Sequence, residues 1–155
     1  MKIREENIRS QFNCFSVEDT VLKYIPQRPP FVMVDSLLFC NDKQTQTKFT
    51  VKEDSLFIVA NRFTEMGILE NIAQTCATRL GYLNKKQPVR IGMIGSVDNF
   101  EFQYLPFKGE EIITTITITA EVLNIVLFSA TVLCGEILVA SCNMKVVLTD
   151  IINEV

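Results

Sequence analysis

The most constraining feature of this sequence is a single long stretch of helical periodicity set among segments that read as strands. From Thr64 to Leu83 the apolar positions Met66, Leu69, Ala73, Cys76, Ala77 and Leu80 recur at spacings of three and four, the interval that gathers side chains on one face of an α-helix. Ile68 and Ile72 widen that stripe well past what an ordinary surface helix carries, so the helix is expected to be nearly surrounded by protein. Gly81 offers a C-terminal stop, and Pro88 lies beyond it.

What surrounds the helix has to come from the strands. Before it, "FVMVDSLLFC" (Phe31 to Cys40) and the Thr-rich "QTQTKFTV" (Gln44 to Val51) are joined by Asn41 and Asp42, which predicts a hairpin. After it, Ile112, Thr114, Ile116, Ile118, Ala120 and Val122 alternate with polar positions, the period of a strand with one buried face. Ile125 to Cys134 follows, Gly135-Glu136 turns the chain, and a last alternation runs from Leu138 to Leu148. Three sequential strands with short turns predict an antiparallel meander. Phe100, Phe102 and Tyr104 also alternate, which puts them on one sheet face, either in the core or along a ligand tunnel. The expected class is α+β: one long helix wrapped by an antiparallel sheet, in a single domain over 1–155, with 1–22 as an N-terminal arm or short helix.

Several function classes are disfavoured. A net charge of -3 leaves no basic footprint for a nucleic acid. The longest apolar run, Ile125 to Cys134, is half of the roughly 20 residues a spanning helix needs, so no membrane partner is expected. The N-terminal residues show no export pattern, which places the protein in the cytoplasm. No glycine-rich phosphate loop appears, and no cofactor is expected. The five cysteines are odd in number and lack a C-x-x-C pair, and the 155 residues contain no histidine. They make a poor metal or disulfide set and read as reduced core residues. With no imidazole to activate it, neither Cys76 nor Cys142 is a good nucleophile.

The chemistry has to come from carboxylates and amides. Glu70 falls at the border of the helical stripe, with Gly67 and Gln74 beside it. Partial burial there suits a carboxyl to general-acid work, and the alternative is an edge glutamate paired with Arg79 or Arg90. Arg28 and Asp35 flank the rigid "PP" and are read as structural, paired with each other or with neighbours.

Three segments, "YIPQRPPFVMVD" (Tyr24 to Asp35), "FTEMGILENIAQTCA" (Phe63 to Ala77) and "IGMIGSVDNFEFQYLPFKGEEI" (Ile91 to Ile112), resemble in order and spacing those of the FabZ/FabA-type (3R)-hydroxyacyl-acyl-carrier-protein dehydratases. The resemblance implies the hotdog fold and a dimer paired through its sheet edges. It also implies a histidine in the first segment that removes the C2 proton, and a helix carboxylate from the other subunit that helps the C3 hydroxyl leave. Glu70 matches that carboxylate. Gln27 stands at the histidine position, where a neutral amide cannot serve as the base, and is expected to meet Glu70 across the two-fold. Gly67, Gln74, Phe31 and Phe102 are the expected substrate contacts. The "NRFTEMG" before the helix lacks the family's Phe-Pro-Gly-His-Phe-Pro stretch, and the pattern is closer to the divergent hotdogs of aryl-polyene and flexirubin-type pathways.

Three readings follow from this resemblance. The first is a dehydratase with an altered acid/base pair and a weakly active homodimer. In the second, the chain is a non-catalytic subunit that binds an acyl carrier protein or acyl thioester and pairs with a histidine-bearing hotdog in a mixed dimer. A thioesterase is the third.

Overall fold

The computed structural model describes residues 21–152. The N-terminal arm expected for 1–22 lies outside the described residues except for Val21 and Leu22, which begin a single 3-10 turn, Val21–Lys23. The strands are β1 (Ser36–Cys40), β2 (Gln44–Thr50), β3 (Ile58–Val59), β4 (Arg62–Phe63), β5 (Arg90–Phe102), β6 (Glu111–Val122), β7 (Ile125–Cys134) and β8 (Ile137–Ile152), and the helix, α1, is Glu65–Leu83.

Six strands form one antiparallel sheet in the order β1-β2-β6-β7-β8-β5. The predicted hairpin and meander are both present, and β2 pairs with β6 to join them. Asn41 makes the hairpin turn, its Oδ1 accepting from the amides of Lys43 and Gln44 at 2.9 and 2.8 Å. α1 packs against β1 and β2 near one edge of the sheet and against β5 at the other. Laid flat, six strands at about 4.8 Å spacing would span roughly 24 Å, and a helix about 10 Å across could not reach both edges. The sheet is therefore curled around the helix, the hotdog arrangement that the resemblance implies.

The core confirms the helix and corrects its orientation. Ile68, Ile72 and Cys76 are fully buried against Phe49, Phe63, Ile112, Ile116 and Phe128 of the sheet side. The polar Asn71, Gln74, Thr75, Thr78 and Arg79 are buried as well, none more than 3% exposed. Their burial is tolerable because each makes hydrogen bonds, with Arg79 Nε alone among their buried side-chain polar atoms left without a partner among the described residues. Thr75 Oγ1 donates to the Asn71 carbonyl and meets Thr47 Oγ1 at 2.7 Å, Thr78 Oγ1 donates to the Gln74 carbonyl, and Arg79 donates to the Asp42 carbonyl and sits 3.5 Å from the Glu121 carboxylate. Of the stripe that the periodicity picks out, Leu69, Ala73, Ala77 and Leu80 are only half-buried and Met66 is exposed.

Two other expectations change. Residues 31–35, expected to begin a strand, belong to none, for a reason given below. Gly81 does not end α1, which continues to Leu83, where the Asn84 amide and side chain both donate to the Leu80 carbonyl. Gly81 is needed for close approach: a Cβ there would overlap the Tyr24 backbone carbonyl. Gly67 has a similar role, since a Cβ would collide with the Phe63 ring and lie 2.8 Å from Phe57 Cβ.

Gly81→Ala tests this packing by its sign. At an open helical position the change would stabilise by about 1 kcal/mol. Here overpacking against backbone should destabilise by about 1–3 kcal/mol or more, read as a lower melting temperature. A rise in melting temperature would show that Tyr24 does not press on the helix.

The buried thiols give a second prediction. Burial pushes Cys76 up to about 12 and Cys142 up to about 11 from an ordinary 9.0. Both should resist a thiol reagent in the folded protein at pH 8 and react on unfolding, while the half-buried Cys40 and Cys134 react sooner. Above pH 9 the unfolded chain releases protons that the folded chain keeps, so stability should fall as pH rises, by at most about 1.4 kcal/mol per pH unit per thiol. Denaturant melts at pH 8 and pH 10 measure the difference.

Candidate active site

The site is built on an unusual backbone arrangement. Residues 31–33 run alongside α1: the Phe31 amide donates to the Arg28 carbonyl, while the Phe31 carbonyl and both backbone groups of Met33 bond helix side chains instead of a neighbouring strand. Gln74 Oε1 accepts from the Met33 amide at 2.7 Å, Asn71 Nδ2 donates to the Met33 carbonyl at 2.7 Å, and Gln74 Nε2 donates to the Phe31 carbonyl at 2.8 Å. Asn71 Oδ1 in turn accepts from Thr114 Oγ1 of β6. The strand expected from the composition of "FVMVD" is absent, and side-chain amides take the place of a ladder there. Only at Asp35, whose amide donates to the Lys48 carbonyl at 2.8 Å, does the chain join the sheet.

Upstream, Tyr24 and Ile25 lie against the helix beside Gly81. Arg28 Nη1 donates to the Ile25 and Gln27 carbonyls, 2.8 Å each, which closes this turn and fixes the backbone at Gln27. Asp35 accepts from the Thr50 amide at 2.8 Å and pairs with Lys52 at 3.0 Å. Arg28 and Asp35 thus have the structural roles expected, each with neighbours and not with the other.

Gln27 and Glu70 line one cleft of about 490 Å³ between α1 and the outer strand β5. Ala73, Ala77 and Leu80 of the helix give it an apolar wall, Met93 and Ile94 of β5 face them, and Arg90 and Glu121 bring charge to it. The half-buried side of α1 is therefore the side that faces this cleft. Glu70 accepts a hydrogen bond from Gln74 Nε2 at 2.8 Å on its Oε1. It does not pair with either arginine considered above, since Arg79 meets Glu121 and Arg90 meets Asp150, both at 3.5 Å. Gln27 Oε1 is buried and has no donor among the described residues, an unmet acceptor of the kind that a ligand hydroxyl or amide satisfies.

Gln27 and Glu70 line the same cleft of this one chain. The remaining expected contacts lie elsewhere in this chain. Gln74 is fully buried behind Glu70, and Gly67 is buried against Phe57 and Phe63. Phe31 and Phe102 are 56% and 46% exposed and are not among the residues that line the cleft. The sequence reading missed Asn71, Tyr24 and Glu121. An amide pair three residues apart between Ile68, Ile72 and Cys76 was the available signal, because a buried amide needs partners. Among the described residues no cluster of three or more histidine, cysteine or acidic side chains could hold a metal ion, and no helix is long and apolar enough to cross a membrane.

The fold has known relatives. The chain is similar to the dehydratase heterocomplex ApeI:P from Xenorhabdus doucetiae, with a TM-score of 0.78 at 16% identity over 84% of this chain and 91% of that one. It is also similar to a hypothetical thioesterase with coenzyme A from Streptococcus pneumoniae TIGR4, with a TM-score of 0.59 at 8% identity over 74% and 84%. The PaaI protein of E. coli superimposes with a TM-score of 0.55 at 11% identity over 72% and 81%. At these identities the likeness establishes the fold alone. No curated protein matches the sequence. The family model described as ApeP dehydratase matches residues 19–155, nearly the whole chain, and the chain belongs to this ApeP-like family of hotdog dehydratases.

Proposed function

We propose that this chain is one subunit of a mixed hotdog dehydratase, in which Glu70 is the helix carboxylate and a second hotdog subunit supplies the imidazole. The observation that carries this reading is a cleft holding Glu70 and Gln27 in a chain whose 155 residues include no histidine. The likeness to a relative solved as a dehydratase heterocomplex supports it. So does β5, which has a strand partner on one side only among the described residues and exposes Met93 (59%) and Ile94 (43%) at the cleft. In keeping with the resemblance to aryl-polyene and flexirubin-type hotdogs, the substrate is a 3-hydroxyacyl thioester on an acyl carrier protein.

The reaction divides between two groups. A base takes the C2 proton, the C2–H electron pair becomes the C2–C3 double bond, and the C3–O bond breaks as the hydroxyl accepts a proton and leaves as water. A neutral carboxamide offers no base, and losing a general base costs roughly a hundred- to ten-thousand-fold in rate, or about 3 to 5 kcal/mol of barrier. Glu70 supplies the proton to the hydroxyl. Gln27 offers its unmet Oε1 to orient a substrate N–H or O–H.

Purified alone, the chain should dehydrate a 3-hydroxyacyl-carrier-protein substrate at a small fraction of the rate it reaches with a histidine-bearing hotdog from the same operon. Glu70→Gln in the mixture should abolish the gain. Fast turnover by the chain alone would refute the two-subunit reading and restore a self-sufficient homodimer.

Assembly provides an independent check. Met93→Lys together with Ile94→Lys should weaken the mixed dimer, seen by native mass spectrometry, because two charges would be carried into an apolar contact. An undiminished complex would show that the partner docks elsewhere.

A further inference from the structure

We infer that the exposed lysines just past the C-terminal end of α1, Lys85 and Lys86, together with Lys23, form a docking surface for an acidic face of the protein that carries the acyl thioester; this rests on the reading of the cleft as the site of a carrier-bound thioester. The cleft runs along the helix from Glu70 to Asn84, and at the Asn84 end its lining includes the exposed Gln87, Pro88 and Arg90. Glu70 and Asn84 stand fourteen positions apart, about 21 Å at 1.5 Å per residue. A second subunit that brings an imidazole to Glu70 covers that end. The thioester then enters at the Asn84 end, on an arm long enough to leave its carrier outside.

Aromatic rings place the cations at this opening. Lys85 Nζ lies 4.7 Å from the Tyr82 ring centre, Tyr82 meets Tyr24 edge to face with centroids 5.6 Å apart, and Lys23 Nζ stands 5.1 Å from the centre of the Tyr24 ring, which borders the cleft. A ring face attracts an ammonium through its quadrupole and leaves the N–H groups on the far side for an anion. Lys48, Lys52 and Lys108, by contrast, each pair with a carboxylate. Lys85 and Lys86 form no ion pair among the described residues. Glu121 and Asp150 do not offset them, because each lies 3.5 Å from an arginine, Arg79 and Arg90 respectively. With a net charge of -3, the chain as a whole repels an acidic partner, and a local excess of ammonium groups beside the opening steers one there.

The test uses the assembled complex of this chain with its histidine-bearing partner and compares three forms of one 3-hydroxyacyl thioester: on its carrier protein, on free phosphopantetheine, and on pantetheine without the phosphate. Lys85→Glu together with Lys86→Glu should raise KM for the carrier-bound form on the order of tenfold, with kcat and both carrier-free forms unchanged. Lys85→Arg with Lys86→Arg should keep the original KM. Added salt should raise KM for the carrier-bound form more in the unmodified complex than in the charge-reversed one. An equal loss with the phosphopantetheine form would show that the lysines take the phosphate of the arm, and would overturn docking of the carrier.

Direct binding separates the surface from the chemistry. With the carrier protein bearing its arm but no acyl group titrated into the complex by calorimetry, the double charge reversal should weaken affinity on the order of tenfold. Unchanged affinity would overturn the docking surface. A complex that fails to dehydrate its substrate, yet loses carrier binding on charge reversal, would refute the dehydratase reading and leave the surface standing.

Discussion

Two amides on adjacent turns of α1 carry the backbone of the segment that leads from Gln27 into the sheet. Asn71 and Gln74 give Phe31 and Met33 the hydrogen bonds that a neighbouring strand would otherwise give. Each group left buried without its partner would cost about 1–3 kcal/mol, so the clamp forms as a unit. Everything near the site refers to it: Glu70 takes its donor from Gln74, and Asn71 is anchored to Thr114 of β6, which ties the clamp to the middle of the sheet. The Gln27 turn is pressed to the same helix where Gly81 admits the Tyr24 backbone.

This arrangement explains why the buried side of α1 is partly polar while the stripe of small and apolar residues is half open. Side chains with specific backbone partners can be buried at little net cost. Ala73, Ala77 and Leu80 need only an apolar surface, and in this chain they border a cleft, not a packed layer. Their small size at two of three positions leaves the cleft open beside Glu70.

The outer strand β5 is the other half of that cleft and the least regular part of the sheet. Its pairing with β8 shifts register at Arg90/Gly92, Ile94/Ser96 and Asp98/Glu101, and Asn99 adopts a φ of 52°. Such bulges bend and twist an edge and re-aim its side chains. Here the bent edge carries Met93 and Ile94 to the cleft wall opposite the helix.

Much of the fold was legible in the sequence because it rests on periodicity. The helix over Thr64 to Leu83, the hairpin through Asn41 and the closing meander each follow from spacings of three and four or of two, which burial on one face imposes locally. Glu70 was legible for the same reason, as a polar residue at the border of an apolar stripe. Tertiary structure alone decided that Gly81 is a contact and not a stop, that the backbone of Phe31 and Met33 is held by helix side chains in place of a strand partner, and that Gln27 and Glu70 share a cleft within one chain. Those outcomes depend on what approaches from distant parts of the chain: a carbonyl at Tyr24 and a pair of helix amides some 40 residues away from the backbone they hold. Periodicity records which side of an element is buried, and carries no information on which group will be its partner there.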